Sequence, residues 1–470
     1  MESAHEVIAQ IDGLFHSRSI AIVGVPRGMK TGKIFLLALL DQGFSGRIYP
    51  VNPRAQTIDG LKAYPRIADI PGPVDLAIIL VPSQHALAAI RECAAKGIKG
   101  AVLFTAGFSE TGTPEGADLE AALVRTARAA GMRLIGPNGM GLYCPETGLS
   151  FFPQASRQPG PIGMISHSGS LTNILGVIAE QKGFRFSKVI SSGNECDLTA
   201  ADFLTYLAHD PATEVIGAYI EGIKNGPDFL QALKHANSKK PVIIWKVGLT
   251  TAGARAAASH TGALAGAPGI WEGVLQQTGA IAVAGFEKMV DTLMGFAMFP
   301  QTLGNRMAIV SGPGGLAVSA AEACERQGLE LAALLPETSA ALARYIQFSG
   351  TSLRNPIDVS LTAHFDLEIF FQAARTLAKD PGVDALIVIG CGMSPESNQI
   401  YAEGMLEVLR ECKKSILAVR IHGFDQKYGR LLCQGGIPFF DSAERAVDAY
   451  ARAWRYWNWR KTHSKKTEGK

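Results

Sequence analysis

A continuous apolar run, a glycine-bearing turn and a helical pattern follow one another repeatedly along this chain. Runs that are apolar at every position must be buried on both faces. A parallel sheet with helices on either side provides that burial, and a half-wetted antiparallel sheet does not. In the first 145 residues Ser19–Gly24, Arg47–Val51, Asp75–Val81, Gly100–Thr105 and Met132–Ile135 read as such strands. Between them Ser83–Lys96 reads as a helix that opens on a serine cap after Pro82 and stops at Gly97. The pattern predicts an α/β protein built on doubly wound parallel sheets.

The chain then repeats its own opening. Segments beginning at Pro161 and Arg306 align at an offset of 145, matching Ser166 to Ser311, Gly169 to Gly314, Leu171 to Leu316, Glu180 to Glu325 and Gly183 to Gly328. Each reads strand, glycine turn, helix, glycine stop. Gly136-Pro137-Asn138-Gly139 closes the first unit, and the Pro/Gly/Ser-rich Pro145–Pro161 reads as a linker. The third unit runs to about Trp459, with Ala385–Gly390 and Ile416–Arg420 as further strands, so three units fill the 470 residues. The 51 glycines would suit disorder in a polar chain, but 47% hydrophobic residues place them in the turns of a packed one.

Function classes fall away on the same reading. A net charge of +3 gives no strong field for nucleic acid or a membrane surface. Seven scattered cysteines without a CxxC pair predict neither a metal site nor a disulfide framework, and they suit a reducing cytoplasm. No apolar run approaches the ~18–20 residues of a membrane span, and the N-terminus lacks a secretory pattern.

Candidate chemistry lies at several turns of the chain. The loop Gly24–Lys33 (GVPRGMKTGK) fits neither the dinucleotide fingerprint nor a Walker A loop, but a glycine- and lysine-rich turn entering a helix is an anion site. After the second strand, Val51-Asn52-Pro53-Arg54 puts an arginine where a nicotinamide-binding fold usually has an acid, which suits a phosphorylated ribose as in NADP or coenzyme A. In the second unit, strand Pro241–Val247 feeds the stretch Gly248–Gly269, made of small residues around His260, which predicts a mobile loop. Lys246 and Arg255 flank His260, and Glu221 ends an apolar strand where a parallel sheet presents its ligands. A carboxylate there can fix the imidazole tautomer and leave Nε2 as nucleophile. Ser168-Gly169-Ser170 and Gly312-Pro313-Gly314-Gly315 each start a helix, whose N–H groups suit a phosphoryl dianion.

The string Ala258-Ser259-His260-Thr261-Gly262-Ala263-Leu264-Ala265-Gly266 resembles the phosphohistidine loop of nucleoside-diphosphate-forming acyl-CoA synthetases. That group includes the ADP-forming acetyl-CoA synthetases and, more distantly, succinyl-CoA synthetase. Ser192-Gly193-Asn194 with Asp197, Tyr219–Gly222, Val51–Arg54, Thr105–Glu110 and Asn355-Pro356-Ile357-Asp358 are similar to further family motifs, in the family's order. The resemblance extends from Ile20 to about Trp454. It implies a Rossmann-like CoA-binding domain over 1–145 and a flavodoxin-like CoA-ligase domain with the phosphohistidine loop over 146–298. A second flavodoxin-like domain over 299–459 and a basic tail over 460–470 complete the chain.

Roles follow from the resemblance. His260 would carry the phosphoryl group, steadied by Glu221. Gly24, Val25, Pro26, Lys30, Gly32, Lys33, Asn52, Arg54, Val81, Pro82, Thr105, Gly107, Phe108, Glu110 and Asn138 would lie along CoA. Ser168, Gly169 and Ser170 would form one phosphate-binding helix start, and Gly312, Gly314 and Gly315 its counterpart. Two positions depart from the family: Gly139 stands where a cysteine is common, and His167 where the turn commonly has glutamine. His167 either replaces a hydrogen-bonding amide or contacts the acyl or phosphoryl group. With all residues assigned to α/β units, no ATP-grasp fold remains, so ATP or ADP with magnesium would bind a separate β subunit in a hetero-oligomer. The expected activity joins a carboxylic acid, ATP and CoA into acyl-CoA, ADP and phosphate, reversibly, through acyl phosphate and phosphohistidine. Attack requires neutral His260, so activity should fall below a histidine's ordinary pKa of ~6.5. The competing expectations are a CoA-binding regulatory or scaffold protein without phosphoryl transfer, and an NADP enzyme, which the failed fingerprint disfavours.

Overall fold

The computed structural model describes residues 4–467 except 262–265, 302, 348–349, 361–362, 364, 391–393 and 422; side chains at 259–261 and 464–467 also lie outside the description. The chain forms two compact units, Met1–Val177 with Arg185–Ala284, and Ile178–Phe184 with Gly285–Lys470.

The first unit contains two main sheets. One is fully parallel, in the order Arg47–Val51, Ser19–Val23, Leu76–Ile79, Gly100–Leu103, Arg133–Ile135. Its strand Ser19–Val23 is buried at every position, as the unbroken apolar run requires. The other runs Ile281–Ala282, Val242–Lys246, Val215–Ile220, Ile162–Ser166, Phe186–Ser191, Gly141–Tyr143. Only the last strand is antiparallel, and it belongs to the stretch before residue 145 although it joins the second sheet. The second unit carries the third sheet, Glu330–Leu331, Arg306–Ser311, Ala385–Ile389, Ser415–Val419, Phe439–Phe440, with Ile357–Asp358 also pairing to Arg306–Ser311.

The three sheets share one order: the second strand of the unit lies beside the first, followed by the third, fourth and fifth. This is the flavodoxin-like order, and it creates a switch point between the first and third strands. Chain leaves those two strands toward opposite faces and opens a crevice at their carboxyl ends. The crevices fall at Gly24 and Val81 in the first sheet, and at Ser168 and Glu221 in the second.

Three segments differ from the sequence expectations. The supposed linker is packed: Phe151 and Phe152 are buried, and the Gln42 side-chain amide donates to the carbonyls of Pro153 (3.0 Å) and Ala155 (2.9 Å). The stretch expected to be a mobile loop contains helix Thr251–Thr261, followed by helix Pro268–Thr278. Residues 252–258 include five alanines, and alanine is the strongest helix former, so small size there means helix rather than freedom. Thr250 Oγ1 accepts the Gly253 N–H at 3.1 Å and starts the first of these helices. Finally, the basic end is no separate tail, because helix Ala443–Thr467 runs through it. Among the described residues, no helix is long and apolar enough to cross a membrane.

Candidate active site

At the first crevice the backbone approaches itself closely. Gly24 has φ +85°, and a Cβ there would fall 2.7 Å from Val81 Cγ1. The Asn52 side-chain amide donates to the Val25 carbonyl at 2.9 Å, and its oxygen accepts the Arg54 N–H at 2.8 Å, so Asn52 shapes the rim that displays Arg54. Lys30 is exposed on the loop, while Pro26 and Gly32 are half-buried at its two ends. Lys33 differs from an exposed anion ligand. It is buried, donates to the Pro26 carbonyl (3.2 Å) and the Arg27 carbonyl (3.3 Å), and pairs with Asp59 at 2.6 Å. Its charge therefore closes the loop on itself.

Across the crevice, Thr105 Oγ1 donates to the Val81 carbonyl at 2.5 Å, tying the ends of two neighbouring strands beside the exposed Pro82. Phe108 is fully buried in the core of this sheet, so its side chain faces packing rather than a ligand. Glu110 Oε1 accepts the N–H groups of Gly107 (2.5 Å) and Phe108 (3.2 Å), and Oε2 accepts the Asn194 amide at 2.5 Å. Burial pushes the Glu110 pKa up, but these donors, Gly107 and Asn194 foremost, overcome it and hold the carboxyl below its ordinary value. Glu110 is thus a staple reaching to the loop beside the second sheet. Asn138, at φ +59°, donates its N–H to the Thr105 carbonyl at 3.0 Å. A Cβ on Gly139 would meet the Ser191 carbonyl oxygen at 2.6 Å, so this chain packs two loops where a cysteine would not fit unmoved.

The second crevice is built on strand Ile162–Ser166 and helix Gly169–Lys182. Ser166 Oγ accepts the Ser168 N–H at 3.1 Å and donates to its carbonyl at 2.9 Å, bending the chain sharply into the helix. Ser168 Oγ lies 3.3 Å from Ser170 Oγ and 3.3 Å from the Leu171 N–H that it accepts. Glu221 is buried at the end of the neighbouring strand Val215–Ile220. Ser168, Tyr219, Glu221, Val247, Gly253 and Ala257 line a cavity of about 490 Å³. Burial, followed by the Glu221 charge and a hydrogen bond to it, raises the pKa of the Tyr219 hydroxyl, which therefore stays protonated as a donor. Lys246 Nζ donates to the carbonyls of Glu221 (2.9 Å) and Val247. Burial lowers its pKa, and the Glu221 charge opposes that effect.

Helix Thr251–Thr261 forms one wall of this cavity through Gly253 and Ala257 and lies beside the short turn Ser109–Thr111 of the first sheet. Arg255 is exposed on it. By backbone His260 belongs to its last turn, and the His260 side chain lies outside the described residues. In the second unit Gly312, Gly314 and Gly315 repeat the turn: Ser311 Oγ donates to the Pro313 carbonyl at 2.8 Å, and helix Gly314–Arg326 follows. Asp358 stands so close that a Cβ on Gly314 would fall 2.4 Å from its Oδ2.

The sequence pattern did not single out Glu195, Glu120 or Asp59. Glu120 shares the Asn194 amide with Glu110 (3.1 Å), and Glu195 lies 3.0 Å from His167. Acidic residues directly after a short Ser-Gly-Asn loop, in a chain with this few charges, were the available signal for Glu195.

These crevices define a class: a flavodoxin-like α/β protein with a glycine-bearing crevice at the switch point of one parallel sheet and a serine–glycine helix start at that of the next. The matches to known proteins agree. Residues 18–145 match the CoA binding domain, and residues 159–296 match the succinyl-CoA ligase like flavodoxin domain. The chain is 37% identical to acetate–CoA ligase [ADP-forming] II subunit alpha of Pyrococcus furiosus, covering 94% of this chain and 97% of that one. It is 34% identical to acetate–CoA ligase [ADP-forming] I of Archaeoglobus fulgidus, covering 95% of this chain but 64% of that one. Among solved structures, acetyl-coenzyme A synthetase 1 of Ca. Korarchaeum cryptofilum, in complex with phosphate and ADP, is similar at a TM-score of 0.84 and 31% identity over 96% of this chain and 97% of that one. The chain belongs to the ADP-forming acyl-CoA ligase family of acid–thiol ligases, on its alpha-subunit side.

Proposed function

We propose that this chain binds CoA on its first sheet and carries a phosphoryl group on His260. In this way it interconverts acyl-CoA, ADP and phosphate with a carboxylic acid, ATP and CoA. The observation that carries the reading is the second switch point. Buried Glu221, the Ser168–Ser170 helix start and the helix bearing His260 share one crevice, and that helix lies beside the turn Ser109–Thr111 of the CoA-binding domain. A carboxylate is a poor acceptor for a thiol until phosphorylation turns its oxygen into a phosphate leaving group. A P–N bond on histidine keeps the transfer potential needed to return that phosphate to ADP. Acetate is the acid in the names of the similar full-length alpha subunits, and it is the first substrate to test. The CoA residues are proposed to be the exposed loop with Lys30, Asn52, Arg54, Val81, Pro82, Thr105, Gly107 and Asn138, with Lys33 and Glu110 supporting the loops behind them.

The nucleotide, with its magnesium, is assigned to a separate ATP-grasp β subunit. The relative that this chain covers to only 64% has additional length in one polypeptide, whereas the relatives of matching length are named as subunits. The domain divisions proposed are 1–145, 146–298 and 299–459, and the compartment is the cytoplasm. Incubation with the partner subunit and γ-labelled ATP should put acid-labile label on this chain, and His260→Ala should abolish it. Label that survives in His260→Ala would overturn the assignment.

A further inference from the structure

His167 occupies the bend between strand Ile162–Ser166 and helix Gly169–Lys182, and only 5% of it is exposed. Its two ring nitrogens have different surroundings. Nδ1 accepts the backbone N–H of Glu221 at 3.2 Å. An acceptor nitrogen carries no proton, so the ring's proton is on Nε2. Nε2 lies 3.0 Å from Glu195 Oε1, close enough for an ionic contact but off the line of a hydrogen bond, and it is buried without another acceptor. Glu195 is also buried, at φ +55°, a region that is strained for a non-glycine residue and persists only where the surroundings hold it. Ser192 Oγ donates to Glu195 Oε1 at 2.9 Å and keeps the carboxylate against the ring. The His167 N–H in turn donates to the Tyr219 carbonyl at 3.2 Å.

We infer that His167 is a positioning residue: a neutral imidazole, oriented by Glu195, whose Nδ1 holds the Glu221 backbone and thereby fixes where the Glu221 carboxylate enters the cavity. The inference rests on the preceding reading of Glu221 as the carboxylate that steadies phospho-His260. Glu221 is held from two sides, because Lys246 Nζ grips its carbonyl while His167 grips its N–H. A ring protonated on Nδ1 would set a donor against the Glu221 N–H and push the strand end away. The carboxylate of Glu195, 3.0 Å from Nε2, favours the proton on that nitrogen through its charge. A glutamine can reproduce the pattern, with Oε1 accepting from Glu221 and the amide N–H groups facing Glu195.

The test uses the full chain with its partner subunit and γ-labelled ATP, following acid-labile label in single turnovers. His167→Phe keeps the volume and removes the acceptor, so labelling should slow by ~10–100-fold while CoA affinity stays within about twofold. His167→Gln should recover most of that loss. Labelling of His167→Phe at the wild-type rate, or His167→Gln no faster than His167→Phe, would overturn the inference. If the wild type takes no label at all, the phosphohistidine reading fails instead, and the two failures are distinct. A measurement independent of substitution is the nitrogen-15 spectrum of histidine-labelled protein. The His167 signal, assigned by its loss in His167→Gln, should report the Nε2–H tautomer, and an Nδ1–H tautomer overturns the inference.

Discussion

A carboxylate placed near a nucleotide site invites the reading that it binds the ligand, and Glu110 shows how neighbours decide otherwise. Its oxygens are taken by two backbone N–H groups and by Asn194, 84 residues away in sequence. Because its folded pKa is depressed, its contribution to stability is complete above its ordinary 4.5 and is lost as the pH falls through the lower folded value. Replacing it by glutamine keeps the shape and weakens charge-assisted bonds. We expect Glu110→Gln to lower stability at pH 7 by about 1–3 kcal/mol, with the gap to wild type closing in acid. Denaturant unfolding at pH 7 and at pH values below 4.5 measures both, and a gap that does not narrow with acid refutes the staple. Lys33 gives the same lesson with opposite charge: a lysine in a glycine-rich loop reads as an anion ligand until its carbonyl and Asp59 partners are seen.

At the scale of elements, the helix Thr251–Thr261 depends on its alanines rather than on deep packing, since most of its described residues are not buried. Ala258 is exposed, so glycine there removes no contact of consequence and acts through backbone freedom. Ala258→Gly should cost this helix about 1 kcal/mol and speed hydrogen exchange in residues 251–261 about fivefold. Exchange across strand Ile162–Ser166 should be unchanged. Equal exchange in the helix would mean that tertiary contacts, not propensity, maintain it. This element also marks what was legible beforehand. Strands such as Ser19–Val23 and Leu76–Ile79 announce themselves because burial on both faces demands apolar residues at every position. The duplicated serine–glycine turns were legible for a similar reason, as backbone geometry restricts residue type. The alanine-rich helix was misread because small residues serve both loops and helices. Helix Ala4–Phe15, weighed only for its lack of a targeting pattern, buries Ile11, Leu14 and Phe15. Contacts such as Asn194 to Glu110 join residues far apart in sequence, and no local pattern contains them.

Within the first unit, the loop after strand Phe186–Ser191 connects the CoA-binding sheet to the second sheet, and Asp197 anchors it. Its fully buried carboxylate accepts Arg128 Nε (2.7 Å), Arg133 Nε (2.9 Å), Arg133 Nη2 (3.2 Å) and the Leu134 N–H (2.8 Å). Arg133 is itself buried, so deleting the carboxylate removes a closely hydrogen-bonded ion partner from a buried guanidinium and should cost about 3–5 kcal/mol. The same loop carries Asn194, and at Gly193 a Cβ would fall 2.1 Å from the Pro137 carbonyl oxygen, so the two sheets interlock through one short segment. That interlock fixes the distance between the first crevice and the Ser168–Glu221 crevice, across which, in the proposed cycle, an acyl phosphate formed from the thioester would deliver its phosphoryl group. Asp197→Ala should therefore separate binding from turnover. CoA affinity should stay within about twofold, because the crevice at Gly24 and Asn52 is held by hydrogen bonds within its own sheet, to the Val51 and Val25 carbonyls, whereas phosphoryl transfer should fall ~10–100-fold as the two sites lose register. Titration with CoA and single-turnover labelling of the same preparation read the two quantities. A parallel fall in both would mean that the loop only stabilises the fold. Loss of transfer alone would make the contact between the sheets, rather than either crevice by itself, the feature that lets the chain couple a thioester to a phosphoryl group.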